Sequence, residues 1–188
     1  MLKILQILDY NTFGEKLIEI AIKTAPFVDI FWLRIKNKPF RKCYEIAGQL
    51  IKFIEREKII VSEYPDIADI LGLRGVHLNH LSLLADTVKK TFPDLTVGYS
   101  AHSIEEIKSV PADYFTLSPI FLTKKEFKIT PLGLNFTLPK QKKVYALGGI
   151  NKQNIHLIVN KGFYGVAGIS FYKQLPDIYK ILNKNTGE

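Results

Sequence analysis

Two groups of residues in this sequence have the types and the spacing needed to bind phosphate. Arg34 and Lys36 stand at alternate positions in WLRIKNK, so in a strand both cations project from the same side. Gly148 and Gly149 end an apolar run in VYALGGIN, and a second turn, GVAGIS, adds the hydroxyl of Ser170. Glycines let a backbone approach a phosphate closely, and N–H groups at a helix N-terminus bind its oxygens. The pattern predicts an anion site; solvent-facing cations and a tight strand-to-helix turn are the structural alternatives.

The elements that must position these residues are short apolar segments, which alternate along the chain with longer amphipathic ones. Several of the apolar segments are continuous β-branched or aromatic runs, as is typical of strands buried on both faces. The predicted strands begin at Lys3, Asp29, Lys58, Gly75, Leu95, Asp113, Val144 and Gly165.

Helical spacing fills several of the intervals between these strands. Apolar residues recur at three- and four-residue steps over Glu15–Lys23 and over Cys43–Glu57, which predicts two amphipathic helices. Ser103 is a good N-cap, and Glu106 three residues later completes a capping-box pattern. Asn151 is expected to cap a helix that begins at the next residue.

Eight strands, each followed by a helix or a helix-like turn, predict a compact α/β fold, the (β/α)8 TIM barrel, as a single domain over residues 1–188. The regularity of the units favours closure over an open doubly wound sheet. Active sites of such barrels lie at the carboxyl ends of the strands, and the loops after the seventh and eighth strands often bind phosphate. Both groups above are therefore expected at one face. Further polar residues expected there are Ser62, Glu63, Asn79, His80, Ser100, His102 and Ser118.

Composition limits the function classes. The net charge is +8, and Cys43 is the single cysteine, which excludes an internal disulfide framework and predicts a cytoplasmic protein. The N-terminal LKILQIL is too short to span a bilayer, so no membrane association is expected. The lysines are scattered rather than gathered into a stripe with aromatics, so the expected partners are phosphorylated small molecules rather than nucleic acid.

The four histidines are not spaced as zinc ligands. His77 lies inside a predicted strand and is interpreted as a hydrogen-bonded core residue, and His156 is expected on the surface. His80 and His102 follow strand ends, so either can reach the barrel mouth and act as an acid or base there.

Six stretches, in the same order and at barrel-compatible spacing, resemble the thiamine phosphate synthase family, including its thiazole tautomerase branch. They are FWLRIKNK, IIVSEYPDIADILGLRGVHL, VGYSAHSIEEI, ADYFTLSPIFLTKK, YALGGIN and GVAGIS. The resemblance implies a barrel that joins a hydroxymethylpyrimidine diphosphate to a thiazole phosphate and releases pyrophosphate. It implies Arg34, Lys36 and Ser100 as catalytic residues, and it implies a substrate site formed by Thr123, Lys125, Gly148, Gly149, Ile169 and Ser170.

The sequence departs from the family pattern mainly on the metal and pyrimidine side. Glu63 stands where a magnesium-binding Asp is expected, Ser82 replaces the second Asp, and Trp32 replaces a Gln. The resemblance therefore implies Mg²⁺ with Glu63 as its remaining acidic ligand. The tautomerase branch needs no metal, but its catalytic His is here Pro119. A tautomerase-like isomerase and a non-catalytic thiazole phosphate-binding protein are the alternatives, and barrels of this size commonly form homodimers.

Overall fold

Eight parallel strands close into a barrel in the order of the chain, in a computed structural model that describes residues 2–123 and 130–184. Each strand pairs with the next, and β1 pairs with β8 to complete the ring. The strands are β1 Lys3–Asp9, β2 Ile30–Arg34, β3 Ile59–Ser62, β4 Gly75–Leu78, β5 Thr96–Ala101, β6 Tyr114–Leu117, β7 Lys143–Leu147 and β8 Gly165–Gly168. The predicted TIM barrel and all eight predicted strands are confirmed.

The helices around the barrel are short, as a barrel of this chain length requires. They are α1 Tyr10–Phe13, α2 Leu17–Thr24, α3 Phe40–Leu50, α4 Pro65–Ile70, α5 Ala85–Thr91, α6 Ile104–Ser109 and α7 Leu175–Lys184. Five connections contain 3₁₀ turns, at Gly14–Lys16, Ala25–Phe27, Arg56–Lys58, Ile155–Leu157 and Ser170–Gln174. In the described residues, no helix combines the length and the apolar character that a membrane crossing demands.

Two helix predictions were wrong: one helix has different bounds, and the other is absent. The helix predicted over Cys43–Glu57 begins earlier, at Phe40, and ends at Leu50, because the chain turns there to bury Ile54 and to enter β3. The helix predicted to begin after Asn151 is absent, since only a 3₁₀ turn lies between β7 and β8. Oδ1 of Asn151 accepts the N–H groups of Gln153 and Asn154, two and three residues further along the chain. Asn151 therefore caps a turn rather than a regular helix.

The apolar core has two layers, as alternation along each strand dictates. Side chains of one parity fill the barrel interior, and those of the other parity pack beneath the helices. The interior cluster consists of Leu5, Ile7, Ile30, Trp32, Ile60, Tyr114, Tyr145 and Ala167. Gly98 makes room for a large member of this cluster, since a Cβ there would lie 2.1 Å from Cζ of Tyr114.

Candidate functional site

Arg34 lies at the carboxyl end of β2 and is ion-paired there with a buried carboxylate. Its partner is Asp9, the last residue of β1, which stands opposite Arg34 in the strand register. The Asp9 carboxylate also accepts the N–H and, at 2.6 Å, the hydroxyl of Thr12, so one side chain both caps α1 and orients the guanidinium. Sequence reasoning missed Asp9, although the rule that strand ends carry function already pointed to the end of β1.

Lys36 lies two residues beyond the end of β2, in an exposed loop that also contains the left-handed residue Asn37. Because β2 ends at Arg34, the two cations do not both stand on the strand, contrary to the prediction from their alternate spacing. Arg34 is thus fixed by the barrel, whereas Lys36 is carried by the loop at the same end.

Ser100 on β5 belongs to a hydrogen-bonded group around His77. Nε2 of His77 lies 3.0 Å from Oγ of Ser100 and 3.5 Å from Oγ1 of Thr116, and Nδ1 lies 2.7 Å from the hydroxyl of Tyr114. Burial, aided by the positive charge of Arg34, lowers the pKa of His77 to about 3. The histidine is therefore a neutral core residue, as the sequence predicted, and it sits directly beneath a candidate catalytic hydroxyl.

Trp32 forms the floor of the barrel mouth. Its indole N–H donates a 2.7 Å hydrogen bond to Oγ of Ser62, and its ring stacks on His77 with 3.7 Å between centroids. The indole is almost completely buried, so its partners fix its position. The residue that departs from the family pattern thus fills the centre of the mouth.

Gly148 and Gly149 are required by the close approach of the loop that follows β6. Both have positive φ, 98° and 70°. A Cβ on Gly148 would lie 2.8 Å from Cα of Pro119, and one on Gly149 would lie 2.6 Å from the carbonyl oxygen of Leu122. The turn geometry therefore accounts for both glycines, and it brings the loops after β6 and β7 together at the site.

The end of β8 supplies the other half of the expected cradle. Ile169 packs against the interior cluster, and its carbonyl accepts a 3.1 Å hydrogen bond from Nε2 of Gln6. Ser170 is exposed and begins the 3₁₀ turn that runs to Gln174. Thr123 is half-buried at the edge of the described chain, and Lys125 lies outside the described residues.

Glu63, the expected metal ligand, and Ser82, which replaces the family's second acidic residue, both contact Asn79. The Glu63 carboxylate accepts a hydrogen bond from the side-chain amide of Asn79, and Oγ of Ser82 accepts the Asn79 N–H at 3.0 Å. Over residues 2–123 and 130–184, no three His, Cys, Asp or Glu side chains lie together as metal ligands. Mg²⁺ is often held by one or two carboxylates together with substrate phosphates. The single exposed carboxylate of Glu63 fits that arrangement, and Ser82 does not contribute a second one.

His102 and His80 are both exposed near the mouth. Nδ1–H of His102 donates to the carbonyl of Ser118 at 2.8 Å, which leaves Nε2 as the acceptor nitrogen of the neutral ring. One of the two hydrogen bonds of the predicted capping box is confirmed, since Oγ of Ser103 accepts the N–H of Glu106. The second differs: the Glu106 carboxylate accepts the backbone N–H of His102 rather than that of Ser103.

Comparison with known proteins gives one consistent result. The family model described as "Thiamine monophosphate synthase" matches residues 6–171. A thiamine-phosphate synthase of Hydrogenobaculum sp. (strain Y04AAS1) is 33% identical over 77% of this chain and 72% of its own, and one of Pyrococcus furiosus is 31% identical over 79% and 76%. The solved structure of a thiamine phosphate pyrophosphorylase from Pyrococcus furiosus superposes with a TM-score of 0.80, at 26% identity, over 99% of this chain and 98% of that one.

Proposed function

The chain belongs to the thiamine monophosphate synthase family, and we propose that it joins a hydroxymethylpyrimidine diphosphate to a thiazole phosphate, releasing pyrophosphate. Its thiamine phosphate synthase-like role lies in thiamine biosynthesis. The observation that carries the proposal is that two candidate residues at the barrel mouth are held in place: Arg34 by its ion pair with Asp9, and Ser100 by its hydrogen bond with His77.

The demanding step of this reaction is the departure of the diphosphate. The bond between the pyrimidine methylene carbon and the diphosphate oxygen breaks, and its electron pair stays on that oxygen. The thiazole nitrogen then forms the new C–N bond with its lone pair. Arg34 and Lys36 would stabilise the leaving polyanion by charge, and Ser100 by a hydrogen bond. Arg34 is well suited, because Asp9 uses only part of its fork of N–H donors.

The thiazole phosphate would lie against the other loops of the mouth. The backbone N–H groups at the start of the turn that begins with Ser170 would bind its phosphate, and Gly149 keeps the loops after β6 and β7 packed together beside it. Ile169 would contact the thiazole ring, and Gly148 would support the turn. Thr123 and Lys125 would add a hydroxyl and a cation to this cradle, by resemblance to the family. The expected ligands are accordingly phosphorylated small molecules.

Magnesium would enter together with the diphosphate. When bound, Mg²⁺ neutralises charge on the leaving group. Glu63 would supply its one protein carboxylate, and it could keep the hydrogen bond from Asn79 on Oε1 while Oε2 binds the ion. The site residues alone offer too few acidic ligands to hold the ion without substrate.

The first experiment is calorimetric titration with each substrate, with and without Mg²⁺, followed by a turnover assay. We expect both substrates to bind and Mg²⁺ to strengthen binding of the pyrimidine diphosphate. Arg34→Ala should weaken that binding, while Arg41→Ala, which removes an exposed α3 cation paired with Glu45, should not. Binding of the thiazole phosphate alone, without synthase turnover, would overturn the proposal and leave an isomerase or a non-catalytic binding protein.

The hydrogen bond between His102 and Ser118 favours a second candidate, a metal-independent thiazole phosphate isomerase. It puts an imidazole beside the loop position, Pro119, at which the tautomerase branch carries its catalytic His. Nε2 of His102 would move the proton. Deuterium exchange into the thiazole phosphate in EDTA tests this: loss in His102→Gln, but not in His80→Gln, would establish the isomerase.

We also propose that the protein is cytoplasmic, because it has a single cysteine, and that it forms a homodimer, because barrels of this size commonly do. Light scattering of the purified chain measures the mass directly, and a monomer at micromolar concentration would refute the dimer.

A further inference from the structure

The hydrogen-bond group beneath Ser100 contains a buried phenol that the reaction described above does not use. Tyr114 on β6 is buried, and its hydroxyl lies 2.7 Å from Nδ1 of His77. Within the described part of the chain, this is its one hydrogen bond. The backbone is adapted to this position of the hydroxyl, since a Cβ at Gly98 would lie 2.3 Å from it.

The direction of this hydrogen bond follows from counting donors. A buried O–H that donates to nothing is costly, whereas an oxygen with an unused lone pair is less so. The Tyr114 hydrogen has no other acceptor in the described chain, so it is donated to Nδ1 of His77. A neutral imidazole carries one proton, which must then be on Nε2. The ring is neutral because it is buried and the side chains around it, those of Tyr114, Ser100, Thr116 and Trp32, carry no negative charge.

The proton on Nε2 decides what Ser100 can do. Nε2–H donates to Oγ of Ser100 at 3.0 Å, so the serine oxygen acts as an acceptor in this pair. Its own hydrogen is left for a ligand at the mouth, toward which the half-exposed serine faces. In the opposite tautomer, the Ser100 hydroxyl would donate its hydrogen to Nε2, and only its lone pairs would then face an anion.

We propose that Tyr114 is a positioning residue that fixes the His77 tautomer and thereby makes Ser100 a hydrogen-bond donor. That the ligand receiving this hydrogen bond is the diphosphate rests on the proposed function. Trp32 supports the arrangement, because its ring covers one face of His77 and leaves the imidazole only its in-plane partners.

The tautomer can be measured without substrate. We would record ¹⁵N spectra of the full chain with labelled histidine and identify His77 from its loss in His77→Gln. The expected result is a protonated Nε2 and an unprotonated, hydrogen-bonded Nδ1. A proton on Nδ1 would overturn the proposal. Because no ligand is involved, this result is independent of whether the proposed synthase reaction occurs.

The action through Ser100 is tested by a double-mutant cycle. Tyr114→Phe keeps the ring and should lower kcat, or binding of inorganic pyrophosphate, about tenfold, as loss of one neutral hydrogen bond predicts. In the Ser100→Ala background, the same change should have no further effect. A full tenfold effect without the serine hydroxyl would overturn the proposal. Tyr145→Phe is the matched control, since this buried neighbour contacts the Tyr114 ring edge-on and should leave both quantities unchanged.

Discussion

The rings of Trp32 and His77 are stacked across the centre of the barrel mouth, 3.7 Å apart and inclined by 31°. The contact connects two hydrogen bonds: the one from the indole N–H of Trp32 to Ser62, and the one between the imidazole of His77 and Ser100. A buried floor of this kind strengthens electrostatic interactions above it, because it excludes water from one side of the charged groups at the mouth.

Acidification should destabilise the fold through His77. Its folded pKa of about 3 lies below the usual value of 6.5, so the unfolded chain binds the proton more readily between these two values. The stability contributed by the neutral ring is complete above pH 6.5 and is lost as the pH falls toward 3, by up to about 1.4 kcal/mol per pH unit. Denaturant unfolding at pH 7, 5.5 and 4.5 measures the slope. His77→Gln should flatten it, and exposed His156→Gln should not; equal slopes in all three proteins would refute the assignment.

Asp9→Asn should weaken ligand binding by Arg34 while the protein still folds with a modest loss of stability. The amide keeps the shape of the carboxylate but removes the charge that orients the guanidinium. The Arg34 side chain is 25% exposed, so water screens the pair, and we expect a loss of stability of about 1–2 kcal/mol. Binding of the pyrimidine diphosphate should weaken by about tenfold, which is roughly 1.4 kcal/mol. Calorimetry measures it, with Asp86→Asn, in an exposed α5 ion pair, as control. Unchanged affinity would mean that Arg34 needs no orientation.

Gly149→Ala should be more harmful than a glycine replacement at a comparable backbone angle. A left-handed φ costs any L-residue about 1–2 kcal/mol, and Gly162, with φ of 80° and open space around its Cα, isolates this cost. At Gly149 the new methyl group would also meet the Leu122 carbonyl at 2.6 Å, so the loop after β6 must shift. Thermal unfolding should show a larger drop for Gly149→Ala than for Gly162→Ala, together with weaker thiazole phosphate binding. Equal drops would contradict the close approach.

Ser62→Ala should leave the Trp32 indole N–H buried without an acceptor. The expected cost is about 1–3 kcal/mol of stability. Since Trp32 is the only tryptophan of the chain, its fluorescence reports on the mouth alone, and the emission spectrum should change in the variant. Ser109→Ala, at an exposed helix end, is the control and should leave both quantities unchanged. An unaltered spectrum and stability in Ser62→Ala would show that the indole has another partner.

Local sequence was sufficient for the eight strands and for the end of the barrel at which the candidate site residues lie. Each strand is an apolar run bounded by turn residues, and the Ser103 cap acts over three residues, so neighbours along the chain contain the information. Helix ends were harder to predict: α3 stops at Leu50 although the apolar periodicity continues, because the chain must return to β3. The residue types at the strand ends predicted the family, which is confirmed, whereas phosphate binding there stays a prediction.

Barrel closure decides which of those residues contact one another. Asp9 and Arg34 are 25 positions apart, and His77 and Ser100 are 23 apart, so only the register of neighbouring strands brings each pair into contact. The two glycines show the same limit: their sequence is compatible with a phosphate cradle or a tight turn, and only the packing of the loop after β6 supplies the reason for both. Sequence specifies which groups are present and on which face; hydrogen bonds between distant strands orient them, because such contacts depend on distances that no local pattern records.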